Sequence, residues 1–306
     1  MRVIVVGLGV QGYKRRIFAG TDYVASVDPV NLEADFRDPS EIPLDAYDAA
    51  LACVPDEPKF DLIRYFLSNG KHVLVEKPLY ASRDAQIADL ETIASQNNVV
   101  CYTAYNHRFE PHFVRMRDLI VSGVLGQIYS CRMFYGNGTA RLVRNSVWRD
   151  KGSGVLTDLG SHLLDTCKFW FGTAMQDFQL ISANRFENRT LDHVVINSEN
   201  MRPRIELEMT LCSWRNHFTC DVLAENGSAH IESLCKWGPT TFTHRTRVLP
   251  SGRPIEKQVK LVQADPTWTQ EYAHFKNLVI SKVATDLSKD IELQSNLRRL
   301  SAEITQ

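Results

Sequence analysis

The chain has 306 residues, 44% of them hydrophobic and 23% charged, with a net charge of -1; this is an ordinary globular composition with length for two domains, and it gives no reason to expect nucleic acid as a partner. Seven cysteines, odd in number, scattered and without metal spacing, fit reduced thiols in a cytoplasmic protein better than disulfides or zinc ligands. No segment has the length and apolarity of a signal peptide or a membrane span, so no membrane is expected, and the cysteine spacing gives no reason to expect a metal.

Val3 to Val6 reads as a buried strand, followed at once by Gly7-Leu8-Gly9-Val10-Gln11-Gly12. The glycines of a GxGxxG permit a tight turn, close backbone approach to a pyrophosphate and close packing of the next helix. That helix, expected over Tyr13 to Ala19, offers unpaired N–H groups to phosphates. The second strand, Val24 to Asp28, ends in an acid at the distance expected of a ribose 2′-hydroxyl acceptor. Such an acid repels a 2′-phosphate, so NAD is expected in preference to NADP. A turn-forming Asp-Pro is the competing reading of Asp28. Three prolines (Pro29, Pro39, Pro43) crowd the short link to the next strand, Ala49 to Val54, so the second crossover helix is expected to be abbreviated or missing.

Val54 and Pro55 close the third strand, where their backbone would line the cofactor. A helical pattern over Phe60 to Ser68 stops at Asn69-Gly70. Val73-Leu74-Val75-Glu76-Lys77-Pro78 is then a buried strand with a Glu-Lys pair at its carboxyl end. Ligands collect beyond the carboxyl ends of a parallel sheet, so Lys77 stands where a substrate would lie; the bland alternative is an exposed lysine in a strand-to-helix turn. Ser82 is expected to cap a helix running to about Gln96, and Val99 to Tyr102 is the following strand. Alternating strands and helices from residue 1 to about 105 argue for a doubly wound nucleotide domain.

Tyr105, Asn106, His107 and Arg108 come next and offer the convergent donors and acceptors a polyol requires. A helix over 113–121 turns through Gly123 to Gly126 into an alternating strand, Gln127 to Tyr135. A polar loop carries Arg141, Arg144, Trp148 and Arg149. Its guanidinium forks suit a diphosphate or carboxylate, or else form a solvated loop. Gly152-Ser153-Gly154 leads to Asp158-Leu159-Gly160-Ser161-His162. A helix starting near Gly154 puts Asp158 and His162 four apart on one face. A carboxylate beside an imidazole favours it as a proton acceptor, as a general base requires, although the two also read as a satisfied helical pair.

The last third shows strand runs at Phe178 to Ala183, His193 to Ser198, Ile205 to Cys212, Phe218 to Leu223 and Ala229 to Glu232. A hairpin turn at Glu225-Asn226-Gly227-Ser228 joins the last two. Strands in succession without helices indicate antiparallel sheet. Helices are expected around Trp268 to Val279 and over 291–303, the latter packing back on the body of the protein.

These motifs resemble, in order, those of the Gfo/Idh/MocA oxidoreductases: the GxGxxG at Gly7 to Gly12, Glu76-Lys77-Pro78, and Gly152-Ser153-Gly154 running into Asp158 and His162. Asn106-His107-Arg108-Phe109 resembles the family's polar-aromatic segment, and the likeness spans residues 1 to about 172. It implies an α/β plus α+β chain. Residues 1–105 would be an NAD(P)-binding Rossmann domain with a doubly wound parallel sheet. Residues 106–306 would be a substrate-binding and oligomerisation domain on an open, mainly antiparallel sheet, supporting a homodimer or homotetramer. It also implies Lys77, Asp158 and His162 as the catalytic set. With Gly7, Gly9, Val10, Gln11, Gly12, Asp28, Val54, Pro55, Glu76 and Lys77 at the cofactor and Tyr105, Asn106, Arg108, Arg144, Trp148 and Arg149 at the substrate, the expected activity is hydride transfer. The substrate would be a sugar, sugar nucleotide or cyclitol. A non-catalytic NAD(P)-binding regulator of the same fold is the alternative.

Overall fold

Five short runs of valine, alanine and their apolar neighbours, buried on both faces, make a parallel sheet. They are β1 (Val3–Val6), β2 (Tyr23–Val27), β3 (Ala49–Ala52), β4 (His72–Glu76) and β5 (Cys101–Ala104), in the order β2-β1-β3-β4-β5. The helices in chain order are α1 (Val10–Ala19), α2 (Asp56–Ser68), α3 (Asp84–Gln96), α4 (Pro111–Val121), α5 (Ala140–Arg144), α6 (Ser161–Phe171), α7 (Thr267–Ile280) and α8 (Ser288–Thr305). This computed structural model describes all residues except 82, 147–148, 173–177, 199–201 and 306. The chain divides into one unit of 1–106 with 267–294 and a second of 107–266 with 295–306. Residues 267–294 return to the first unit from far along the chain.

In the first unit, Ile4, Val6, Val73 and Val75 pack against Phe60, Ile63 and Phe66 of α2 and Ile87 and Leu90 of α3. The opposite face, with Val3, Val5, Leu51 and Leu74, receives Tyr272 and Phe275 of α7. This arrangement answers the shortage of helix between β2 and β3. That link holds only 3-10 turns at Pro39–Glu41 and Leu44–Ala46, so α1 alone would leave apolar sheet uncovered, and α7 arrives from far along the chain to cover it. The Tyr272 hydroxyl donates to Asp22 at 2.9 Å and the Lys276 ammonium to the same carboxylate at 3.0 Å, fixing the helix there.

The second unit holds β6 (Ile128–Gly136), β7 (Gln179–Asn184), β8 (His193–Ser198), β9 (Arg204–Thr210), β10 (His217–Ala224), β11 (Gly227–Glu232), β12 (Thr240–Val248) and β13 (Gly252–Leu261). Their order is β13-β12-β11-β10-β6-β9-β8-β7, with a parallel pair, β6 with β9, inside the otherwise antiparallel sheet. Alternation turns Cys131, Met133 and Tyr135 of β6 and Phe218, Cys220 and Val222 of β10 into the core. Phe113 of α4 meets Trp170 of α6 edge-on at 5.2 Å, and the Trp170 indole donates to the Phe113 carbonyl at 3.0 Å. The Glu225-Asn226 turn lies where the sequence puts it, joining Ala224 to its partner Gly227.

Several expectations need correction. β12 and β13 were not anticipated, because β13 is an edge strand whose Arg253, Pro254, Lys257 and Lys260 hide any apolar alternation, and such residues blunt exposed edges. The first helix begins at Val10 rather than Tyr13, with Gly9 as its cap. α8 begins at Ser288 rather than 291. The Ser82 cap lies outside the described residues. The segment before His162 is not regular α-helix: Leu156–Gly160 forms a π turn that passes into α6.

Close approach dictates two glycines of the first turn. A Cβ on Gly12 would lie 1.9 Å from the Gly7 carbonyl oxygen, and one on Gly7 would lie 2.5 Å from that of Cys53. Gly9 differs, since a Cβ there has nothing within 4 Å. Gly12→Ala should therefore cost about 3 kcal/mol in urea unfolding, against about 0.5–1 kcal/mol for Gly9→Ala, the loss of a tolerated N-cap and no steric clash; equal losses would contradict this division.

Candidate active site

The β1-to-α1 turn leaves backbone N–H donors at the start of α1. Gly7, at φ +90°, turns the chain off the strand, and Gly9 caps α1 without any side chain satisfying the first N–H groups. Those donors and the helix dipole face a position where Gly9 leaves open space. β1 and β3 are neighbours from which the chain departs in opposite directions, the switch point where such sheets take ligands. Backbone N–H donors without a side-chain partner, beside a turn in which Gly7 and Gly12 leave no room for a Cβ, are chemistry that suits a dinucleotide diphosphate, the group expected at Gly7, Gly9, Val10, Gln11 and Gly12. The Cγ1 of Val54 lies 3.2 Å from a Gly7 Cβ position, and Pro55 is the exposed cap of α2.

Asp28 does more than wait for a ribose. One oxygen accepts from the Leu8 N–H at 2.7 Å, inside the glycine turn, and the other from Val30 and Asn31 at 2.9 and 2.8 Å. Burial pushes this carboxyl up, but those backbone donors and the Arg37 charge outweigh it and hold it below the usual range. The acid thus ties the end of β2 to the glycine turn, and its remaining lone pairs can still accept from a sugar.

A buried ion cluster underlies the Glu76-Lys77-Pro78 exit from β4. Arg15 of α1 is 1% exposed, with its Nε 2.7 Å from Glu76 and an Nη 2.7 Å from the fully buried Glu271 of α7. Its guanidinium carbon lies 4.4 Å from the Trp268 ring centre. Burial opposes the Arg15 charge, and the two glutamates more than restore it, so its pKa is raised. Glu76, expected at the cofactor, here orders the strand end from which Lys77 leaves. Beside it the buried Lys59 ammonium bridges Asp56 at 2.5 Å and the Pro78 carbonyl at 3.1 Å, clipping the loops after β3 and β4 together. Lys77 itself is half-buried.

In the second unit, the buried ring of His162 stacks on that of His107 at 4.0 Å and 18°, with Tyr135 at 6.2 Å. Gly154, at φ +50°, lets the approach to this helix pass the Leu191 carbonyl, which a Cβ would meet at 2.2 Å. Within the π turn, Asp158 lies 3.8 Å from Arg149, so two of the expected residues meet. Arg108, expected at the substrate, instead holds Asp165 of α6 with both prongs of its fork, at 2.7 and 2.8 Å. Asn106 donates to Thr267 at 2.9 Å, and Tyr105 is buried. Arg141 lies 3.7 Å from Glu187, Arg144 is exposed on α5, and Trp148 lies outside the described residues. Lys77 belongs to the first unit, and Asp158 and His162 to the second.

Sequence reading missed Arg15, Glu271, Lys59 and the Tyr135, Lys236 and Trp237 group. A basic residue on the inward face of the first helix was the one available signal. Among the described residues, no group of three His, Cys, Asp or Glu could hold a metal ion, all seven cysteines are free, and no helix is long and apolar enough to cross a membrane.

Residues 1–105 match the family described as "Oxidoreductase family, NAD-binding Rossmann fold", and residues 113–230 match the GFO/IDH/MocA C-terminal domain. Among curated proteins, the uncharacterized oxidoreductase YdgJ of Escherichia coli is 29% identical over 195 residues, 55% of this chain and 54% of that protein. The inositol 2-dehydrogenase of Rhizobium meliloti is 26% identical over 149 residues, 49% and 41%. The chain thus spans about half the length of the curated relatives it matches. Levoglucosan dehydrogenase in complex with NADH superposes with a TM-score of 0.83 at 15% identity, over 99% of this chain and 97% of that one, a likeness of fold.

Removing the buried cation should be costly, since it strands two carboxylates: Arg15→Met loses about 3–5 kcal/mol in urea unfolding, and a loss under about 1 kcal/mol would contradict the ion cluster's importance. Asp28 has a pH signature. Its folded pKa is lowered, so its contribution is present above the unfolded value of about 4 and lost as pH falls through the folded one. Asp28→Asn should therefore be about 1 kcal/mol less stable than the parent at pH 7, with the gap closing under acid; a pH-independent gap would contradict the assignment.

Proposed function

The chain belongs to the Gfo/Idh/MocA family of oxidoreductases, and from that premise we propose that it moves a hydride between NAD(H) and a secondary alcohol or ketone of a sugar, sugar nucleotide or cyclitol. The observation that carries this reading is the uncapped start of α1 over the open Gly9 position, set beside a strand exit whose glutamate is locked to Arg15. A nicotinamide, when bound, supplies the hydride acceptor or donor.

The chain's residues handle proton and charge. His162 takes the hydroxyl proton in the oxidising direction, its ring held in place by His107 and Tyr135. Lys77 donates a hydrogen bond to the developing alkoxide. Imidazole is the commonest general base at neutral pH, so that role goes to His162. Asp158, near Arg149, orients His162 or grips a neighbouring hydroxyl.

Asp28 supports NAD over NADP by repelling a 2′-phosphate. Arg37, which donates to the Asp28 and Asn31 carbonyls at 3.1 and 2.6 Å, softens that repulsion. Two or four copies joined through the second unit's sheet complete the proposal, and molar mass in solution tests that part.

Absorbance at the NADH band, followed across free sugars, inositols and nucleotide sugars, tests the reaction. Lys77→Ala and His162→Ala should each lower turnover by about 10²- to 10⁴-fold, and Asp28→Ala should lower the NAD over NADP preference at least about ten-fold. Dinucleotide binding with no turnover on any compound would favour a regulator instead.

A further inference from the structure

Beside His162 the second unit carries a cation that the reaction above leaves unused. Tyr135, the last inward residue of β6 before Gly136, is buried, with its ring 5.5 Å from His107 and 6.2 Å from His162. The Lys236 ammonium donates to the Tyr135 hydroxyl at 3.1 Å. It also lies 4.6 Å from the centre of the Trp237 ring and 5.5 Å from that of Tyr135. The short turn that presents it, Cys235–Trp237, is anchored from below: the Cys235 N–H donates to the buried Glu110 carboxyl at 2.7 Å.

The pattern of charge around His162 sets this lysine apart. Arg108 is taken by Asp165, and Arg149 faces Asp158. Among the described residues, Lys236 hydrogen-bonds a phenol and rests on two ring faces, but it forms no ion pair. An ammonium seated between aromatic faces is held in a narrow range of positions, which lowers the cost of ordering it when an anion arrives. Half-buried Trp237 adds a flat apolar wall of the kind sugar sites use.

We propose that Lys236, seated on Tyr135 and Trp237, binds an anionic group of the substrate, so that the sugar taken is an acidic one bearing a carboxylate or a phosphate. This deepens the function proposed above and rests on its placement of the substrate at His162. The lysine acts as a point charge and not as a bidentate clamp, so it accepts either kind of anionic oxygen. Orientation comes from the Trp237 face.

Calorimetric titration of D-glucuronate, D-glucose 6-phosphate and D-glucose into the full chain with NADH present tests the proposal. The parent should hold at least one acidic sugar about 10- to 100-fold more tightly than glucose; glucuronate preferred identifies a carboxylate, and the phosphate ester a phosphate. Lys236→Met should bring that ratio close to one, whereas Lys236→Arg should keep most of it, with near-ultraviolet dichroism confirming a parent-like fold in both. A parent without acid preference, or a folded Lys236→Met that keeps the ratio, overturns it. Turnover of neutral sugars without acid preference would leave the oxidoreductase reading standing and remove this one. Lys236-dependent binding of acids with no turnover on any compound would do the reverse.

Discussion

The pairing of Arg15 with Glu76 and Glu271 is the constraint on which the first unit turns. It joins three segments remote in sequence: the helix after the glycine turn, the end of β4, and the helix that returns near the chain's end. Taking three charges out of water is expensive, and the attraction between them offsets that cost only when the geometry is good. The cluster therefore contributes little net stability while intact and penalises any other arrangement heavily. Its consequence is positional. It fixes α1 behind the glycine turn and, through Glu76, the backbone that carries Lys77.

Steric constraint does for the second unit what charge does for the first. Gly154 admits the Leu191 carbonyl, and Gly160 lies where a Cβ would come 2.8 Å from the Met209 sulfur. The π turn between them sets the direction in which α6 presents His162. That imidazole is then held flat against His107, with Tyr135 alongside. Both units thus offer a polar side chain from a backbone that has little freedom to move, as preorganised chemistry requires.

What could be read in the sequence is what lies locally along it. The glycine turn after Val3 to Val6, the acid at Asp28, the missing crossover helix and the Glu-Lys pair after β4 all announce themselves within a few residues. The partners of those residues do not. Nothing near Arg15 reveals that its counter-ions stand 61 and 256 positions away, and nothing near Trp268 says that its helix completes a sheet begun at residue 3. β13 escaped because an edge strand suppresses the alternation that identifies strands, and β12 because threonine and basic residues outnumber its apolar positions. Arg108 shows the same limit: a fork suited to a substrate carboxylate suits Asp165 equally well, and the sequence does not announce that partner 57 positions away.

The account depends most on the open space over Gly9 being the seat of a dinucleotide diphosphate. Titrating NADH into the parent and into Gly9→Val, with unfolding midpoints measured alongside, examines this directly. The result expected is saturable binding of one NADH per chain by the parent and its loss in a variant that still folds. Absence of binding by the parent, or unaltered affinity in a variant with a branched side chain at that position, would contradict it.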